Sequence, residues 1–464
     1  MGADEKMHRL RLAGCCQSQG EGAAGIPIGT TSVPEIVRRE SLRWLARIKH
    51  LPLTDGNWTY LRPARKSDPA QGWKLHISAT ILSATEVFAR VEPILRKNDA
   101  FSKIPGNLEL LRSLNSGLVD FSQIGKFLTV YPQSTSAALK LARELHRATR
   151  GLPGPRIPFD AQYCKDSLVF YRFGSFRSSG EGAPGFIYAP GGRRYRDKRA
   201  PRQAIPRWLN DPFQKSRANN SKGHGLISRE LLVFKAKAQR GKGGVYEAVD
   251  LSVLPVRRVI IKEGRRHGET NWDGSDGRAL VKHEARVLRE LRKAGLPVPE
   301  IFRKFTQNGN RYLVLERITA RPLLAAKRMQ PSRISWRRAE RILELLGTLL
   351  DKVHAAGWVW RDCKPSHILF HRRTVRLIDF EGACRIGETN LLPWGSPDYI
   401  PPPYRGKFSR RAGTLEDDYA LGVIAFQFLS GKFPPRSSRR RASVYEQTSC
   451  PDSLRSRIEN LLRV

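Results

Sequence analysis

Acidic residues are scarce in this chain. It has 464 residues with 82 Lys plus Arg against 43 Asp plus Glu, a formal charge of +39. Cysteines are few as well: Cys15, Cys16, Cys164, Cys363, Cys384 and Cys450. No two have CxxC spacing and no His cluster accompanies them. That excludes a zinc ribbon and a disulfide framework, and a reducing cytoplasm is the expected compartment. No apolar run reaches the roughly 18 residues of a membrane span. The string LAGC, Leu12 to Cys15, has the look of a lipoprotein box, but His8, Arg9 and Arg11 break the apolar stretch such a signal needs. Nucleic acid is an unlikely partner despite the charge, because no aromatic-interleaved RNA motif or recognition helix stands out. The basic runs at Gly191 to Arg202 and Arg436 to Arg441 read first as solvated faces. The length suffices for two or three domains.

What is present begins with WRDCKPSHILF, Trp360 to Phe370, followed by LIDFEG, Leu377 to Gly382. Together they resemble the catalytic and metal-binding loops of a protein kinase. Asp362 then takes the place of the base that accepts a hydroxyl proton, Lys364 reaches the transferring phosphate, and Asp379 holds Mg²⁺ against ATP. Upstream, QRGKGGVYEAVD brings Gly243 and Gly244 to a glycine-rich loop, with Val245 over the adenine. Lys262 in VIIKEG contacts the α- and β-phosphates. Glu284, expected in the first turn of an amphipathic helix, holds that lysine by an ion pair. DDYALGVIAFQFLSG, Asp417 to Gly431, reads as the buried helix of the large lobe.

Four departures from the kinase pattern stand out. Trp360 replaces the usual His. His367 sits where an Asn would bind the second metal, and magnesium prefers oxygen ligands. Glu381 replaces the Gly after Asp-Phe. Pro401-Pro402-Pro403 replaces Ala-Pro-Glu, with its carboxylate.

The N-terminal half alternates helix and strand patterns. Glu86 to Lys97 and Ser136 to Arg150 have helical periodicity. Lys74 to Ser78 and Lys126 to Pro132 read as strands. Lys74 and His76, two apart on a strand, point to one face. Residues 1–35 read as a flexible lead, 36–176 as an α+β domain, 177–226 as a basic Gly/Pro-rich linker and 227–464 as a bilobal kinase-like domain. Trp208 and Phe213 call for some order inside the linker.

The strings GWKLHISAT (Gly72 to Thr80), GKFLTVYP (Gly125 to Pro132), GLPGPRIPFD (Gly151 to Asp160) and SLVFYRFGSF (Ser167 to Phe176) resemble the N-terminal region of class III and IV lanthionine synthetases. PRWLNDPF fits the linker, and VIIKEG and LIDFEGA fit that family's kinase. The resemblance covers residues 38 to 464.

It implies a kinase that phosphorylates Ser and Thr of a ribosomally made precursor peptide, and a lyase that eliminates the phosphate to leave dehydroamino acids. It further implies His76 as the acid protonating phosphate and Lys103 as the base, kept neutral by burial or by the neighbouring charges of Lys74 and Lys126. Arg156 and Arg172 would clamp the phosphate, with Lys126 nearby and Tyr131 donating to it. The chain stops at Val464, so a cyclase is expected as a separate protein. Two competitors remain: an ordinary Ser/Thr protein kinase with a regulatory N-terminal domain, and a pseudokinase scaffold binding an anionic partner.

Overall fold

The computed structural model describes residues 32–52, 57–176, 185–199, 205–214, 226–323, 334–371, 374–407 and 411–463. Most of the expected lead, with Cys15 and Cys16, lies outside them. The first helix, α1 (Val33–Ile48), starts where Ser32 and Glu35 form a reciprocal capping box. The strands that follow are β1 (Trp58–Tyr60), β2 (Gln71–Ile77), β3 (Phe101–Pro105), β4 (Leu128–Tyr131), β5 (Ala161–Gln162) and β6 (Val169–Ser175). They form one six-stranded sheet in the order β1-β3-β4-β2-β6-β5, with every pairing antiparallel. Helices α2 (Ala84–Lys97), α3 (Leu108–Ser116) and α4 (Thr135–Thr149) connect them.

Strand alternation divides the sheet chemically. Leu75, Ile77, Val130, Ile104 and Tyr171 join Trp44, Phe88, Val91 and Leu145 in one apolar core. The opposite face carries the polar set. Lys74 lies opposite Arg172, and His76 lies opposite Thr129, which also faces Lys103. A one-residue slip in β2 would turn both polar side chains, Lys74 and His76, into the core.

The stretch expected as a linker contributes to this domain. Phe213 is 1% exposed and its ring lies 4.1 Å from that of Tyr171. Trp208 packs edge-on against Phe173. Burying an aromatic ring of that size contributes about 2–3 kcal/mol, enough to order a short segment. A small hairpin, β7 (Phe186–Tyr188) with β8 (Arg194–Arg196), lies in the same stretch.

The second half is bilobal. Strands β9 (Leu226–Ile227), β10 (Leu231–Gln239), β11 (Gly243–Asp250), β12 (Arg257–Gly264), β13 (Ile301–Gln307) and β14 (Asn310–Glu316) form an antiparallel sheet in the order β13-β14-β12-β11-β10-β9. Helix α5 (Gly277–Lys293) crosses it. It begins earlier than the apolar periodicity suggests, because the Asp276 side chain accepts from Arg278 and Ala279 N–H groups. Glu284 therefore sits past its first turn.

The large lobe packs α6 (Trp336–Ala355) on α7 (Leu415–Ser430), which is buried nearly all round. Helices α8 (Ser438–Gln447) and α9 (Asp452–Leu462) close the chain. Among the described residues no helix is long and apolar enough to cross a membrane.

Candidate active site

Two sites emerge, one in each half. In the kinase half, Gly243 and Gly244 open β11, and Val245 lies opposite Lys262 on β12. A Cβ on Gly243 would overlap the Glu263 carbonyl oxygen, so glycine is required for the two strands to approach. The Lys262 ammonium donates to Glu284 Oε1 at 2.6 Å and to Asp379 Oδ1 at 2.9 Å. Burial alone would depress this lysine, but the Asp379 and Glu284 charges outweigh it and raise its proton affinity above the usual value. Burial pushes the Glu284 carboxyl the other way, upward, against Lys262. Glu284 Oε2 is buried with no hydrogen-bond partner.

The catalytic loop hangs from Asp417, which accepts from the backbone N–H of Trp360 at 2.7 Å and of Arg361 at 2.8 Å. Trp360, the unusual residue, stacks on Phe380 with ring centroids 4.9 Å apart. Its indole N–H donates to the Asp379 carbonyl at 3.0 Å, so it ties the catalytic loop to the metal loop. Lys364 bridges Asp362 (2.8 Å) and the Ser396 hydroxyl (2.8 Å), and Ser396 also donates to Asp362. The prolines at 401–403 bring no acid, but Glu416 is buried and pairs with Arg361.

Asp362, His367 and Asp379 each aim a ligand atom into one space, all within 4.8 Å of one another. His367 Nε2 lies 3.1 Å from Asp379 Oδ2. Two carboxylates and an imidazole converging on one space fit a divalent cation. The imidazole is a softer donor than the carbonyl usual there, which makes the set less selective for magnesium.

In the N-terminal half, the polar face of the sheet forms the floor of a pocket. Its lining includes Trp58, Lys74, His76, Lys103, Lys126, Tyr131, Arg172 and Arg199, with five cationic side chains and no carboxylate. Burial and Arg172 lower the Lys74 ammonium to about 7. Burial lowers Lys126 to about 8, with Asp160 opposing. Burial takes the His76 imidazole down to about 4, again against Asp160. Burial also raises the Tyr131 hydroxyl above its ordinary range, so it remains a proton donor. The Lys103 ammonium lies 4.1 Å from the centre of the Trp58 ring.

Six of the seven residues expected in a lyase site therefore meet. The exception is Arg156. Ser78 donates to the Pro155 carbonyl at 2.5 Å, which fixes the turn. Arg156 instead interacts electrostatically with Arg265 and Glu263 of the kinase half, and does not line the pocket.

Sequence reasoning passed over Asp160, which sits behind the pocket and bonds His76 Nδ1. Burial would raise its carboxyl, but Lys126 and His76 hold it well below the usual range. Arg199 and Asp197, the partner of Arg172, were also passed over, because both lie in the stretch expected as a linker. Ser396 gave no signal beyond its place before Pro397.

Comparison with known proteins follows the same division. The family profile described as RamC, N-terminal domain, matches residues 49–224, and that of the protein kinase domain matches residues 240–460. The probable SapB synthase of Streptomyces coelicolor is 31% identical over 390 residues, 80% of this chain and 40% of that protein. The serine/threonine-protein kinase PknA of Mycobacterium tuberculosis is 31% identical over 206 residues, 42% of this chain and 46% of its own. PknA of a Nostoc strain is 27% identical over 221 residues. The chain spans less than half the length of these relatives. It joins a RamC N-terminal domain to a protein kinase domain, the pairing that its resemblance to lanthionine synthetases implied.

Proposed function

We propose that the protein dehydrates Ser and Thr of a ribosomally made precursor peptide, in two steps at its two sites. In the kinase half Asp362 accepts the peptide hydroxyl proton. Lys364, held between Asp362 and Ser396, neutralises charge on the transferring phosphoryl group. Lys262 takes the α- and β-phosphates of ATP. A divalent ion bound by Asp379 with His367 would shield the phosphate charge. The N-terminal pocket then receives the phosphopeptide.

There Arg172, Lys126 and Arg199 hold the phosphate. A neutral amine removes the α-proton, the Cα–Cβ double bond forms and the Cβ–O bond breaks. His76 gives its proton to the departing phosphate oxygen. Asp160 on Nδ1 leaves His76 Nε2 facing the pocket. Before substrate enters, the pocket holds His76 neutral at pH 7. An entering phosphate dianion raises its proton affinity, and the imidazole takes up a proton from solvent at Nε2. That is the proton it passes to the departing phosphate oxygen. The neutral amine is supplied most readily by Lys74, with Lys103 as the second candidate.

What carries this function is the pocket, where His76 and five cationic side chains face one another without a carboxylate. That is an environment for a phosphorylated substrate with an acid and a base at hand. The name of the Streptomyces relative, a synthase, agrees with it. Mass spectrometry of a candidate peptide with the protein, ATP and Mg²⁺ tests it. Loss of one water per modified residue is expected. A stable phosphopeptide would reduce the protein to an ordinary Ser/Thr kinase, and no mass change together with ATP binding would leave a pseudokinase scaffold.

A further inference from the structure

The tip of the glycine-rich loop is held from two sides. Behind it, the Gly241 N–H donates to the Ser116 carbonyl at 2.9 Å, at the end of α3 in the first domain. A Cβ on Gly241 would overlap the Asn115 carbonyl oxygen. Asn115 is itself buried, and its side chain bridges the Ala79 carbonyl and the Gly125 N–H, both at 3.0 Å. The anchor is therefore continuous with the first domain's core and with the turn before Lys126. The connection between β12 and α5 strengthens it. Arg265 donates to the Arg240 carbonyl at 2.9 Å, its backbone N–H bonds the Lys242 carbonyl at 2.8 Å, and its guanidinium lies over Phe121 of the first domain. Trp272, 1% exposed, is buried in the first domain's apolar cluster.

In front, the Lys242 ammonium pairs with Glu381 Oε2 at 2.7 Å. Glu381 follows Asp379 and Phe380 in the metal loop, where the kinase pattern has glycine. The pair thus closes across the space between the glycine-rich loop and Asp379. A loop that covers phosphates gains affinity when it is held in its covering position beforehand, because less conformational entropy is lost on binding. A lysine paired with a carboxylate can also exchange that partner for a phosphate oxygen.

We propose that the first domain anchors the glycine-rich loop over the phosphate site, with Gly241 and Lys242 as positioning residues for nucleotide. The kinase half is then tuned by its attachment to the first domain. This rests on the kinase reading above.

The test is calorimetric binding of ATP with Mg²⁺ to the full-length protein, followed by kcat and KM for ATP. Gly241→Ala, whose added carbon meets the first domain, is expected to weaken ATP binding at least tenfold. KM should rise by a similar factor, with kcat at saturating ATP within threefold. Lys242→Met should also bind at least tenfold more weakly, and Lys242→Arg should restore binding to within threefold. Amide exchange on the unmodified protein covers the case in which Gly241→Ala fails to fold: the Gly241 amide should be protected before ATP is added. A folded Gly241→Ala protein with unchanged ATP affinity, or an unprotected Gly241 amide, overturns the anchor. An unmodified protein that binds no nucleotide overturns the kinase reading and the anchor together.

Discussion

Lys262 and Lys74 are the same residue type, each on a central strand and each buried at a site proposed for phosphate. Their protons behave oppositely. Lys262 faces Glu284 and Asp379 and is held charged, raised above an ordinary lysine. Lys74 faces Arg172, with Arg199 and Lys126 close by and only Asp197 opposing, and is lowered to about 7. Burial acts on both in the same direction, so the difference comes from the neighbouring charges. The kinase cleft balances its cations with carboxylates, which suits a metal-assisted transfer where a lysine must stay charged. The N-terminal pocket withholds carboxylates from its lining, which suits an elimination where an amine must be free of its proton. On the proposed function, a chain of net charge +39 holds two phosphate sites of different logic.

The strongest way to break the comparison is to remove one site and measure the other. Asp379→Asn should lower peptide phosphorylation about 10³-fold or more. Elimination from a presynthesised phosphopeptide should stay within about twofold. Loss of both activities would mean that the sites are not separable. Next, His76→Asn should slow elimination about 10²-fold, in the range typical for loss of a general acid. The phosphopeptide should then accumulate under ATP, detectable by mass spectrometry.

The pH profile sharpens the contrast further. Below about 7 the Lys74 amine is protonated and cannot take a proton, so kcat/KM for elimination should fall as pH falls. At higher pH it should fall again, because His76 must carry a proton to serve as the acid. In Lys74→Met protein the low-pH limb should vanish, and its survival there with loss in Lys103→Met would assign the base to Lys103. Bound phosphate favours the charged amine, so the same limb in kcat should lie at higher pH. The smallest effect is on peptide binding: raising salt should weaken it severalfold by screening the basic surface. Affinity unchanged between low and high salt would remove charge from recognition.

The kinase site was largely legible because its parts lie in ordered, nearly contiguous strings. Asp362, Lys364 and His367 share one loop, and alternation alone placed Lys74 and His76 on one face. Other partners gave no local signal. Asp160 meets His76 from 84 positions away, and Glu381 meets Lys242 from 139 away. Arg156 showed the reverse: a loop arginine within a matching string whose charged neighbours are Arg265 and Glu263 of the kinase half.

By itself the sequence determined the two halves, many of their strands and helices, the order of the kinase motifs and the polar face of the first sheet, because periodicity and short-range spacing are properties of the chain. The tertiary structure decided which cations share a pocket, and which of them are buried among other cations and so hold their protons less tightly. It also decided that the first domain touches the glycine-rich loop. Those outcomes depend on desolvation and on charges brought together from distant positions, and neither exists until the chain is folded.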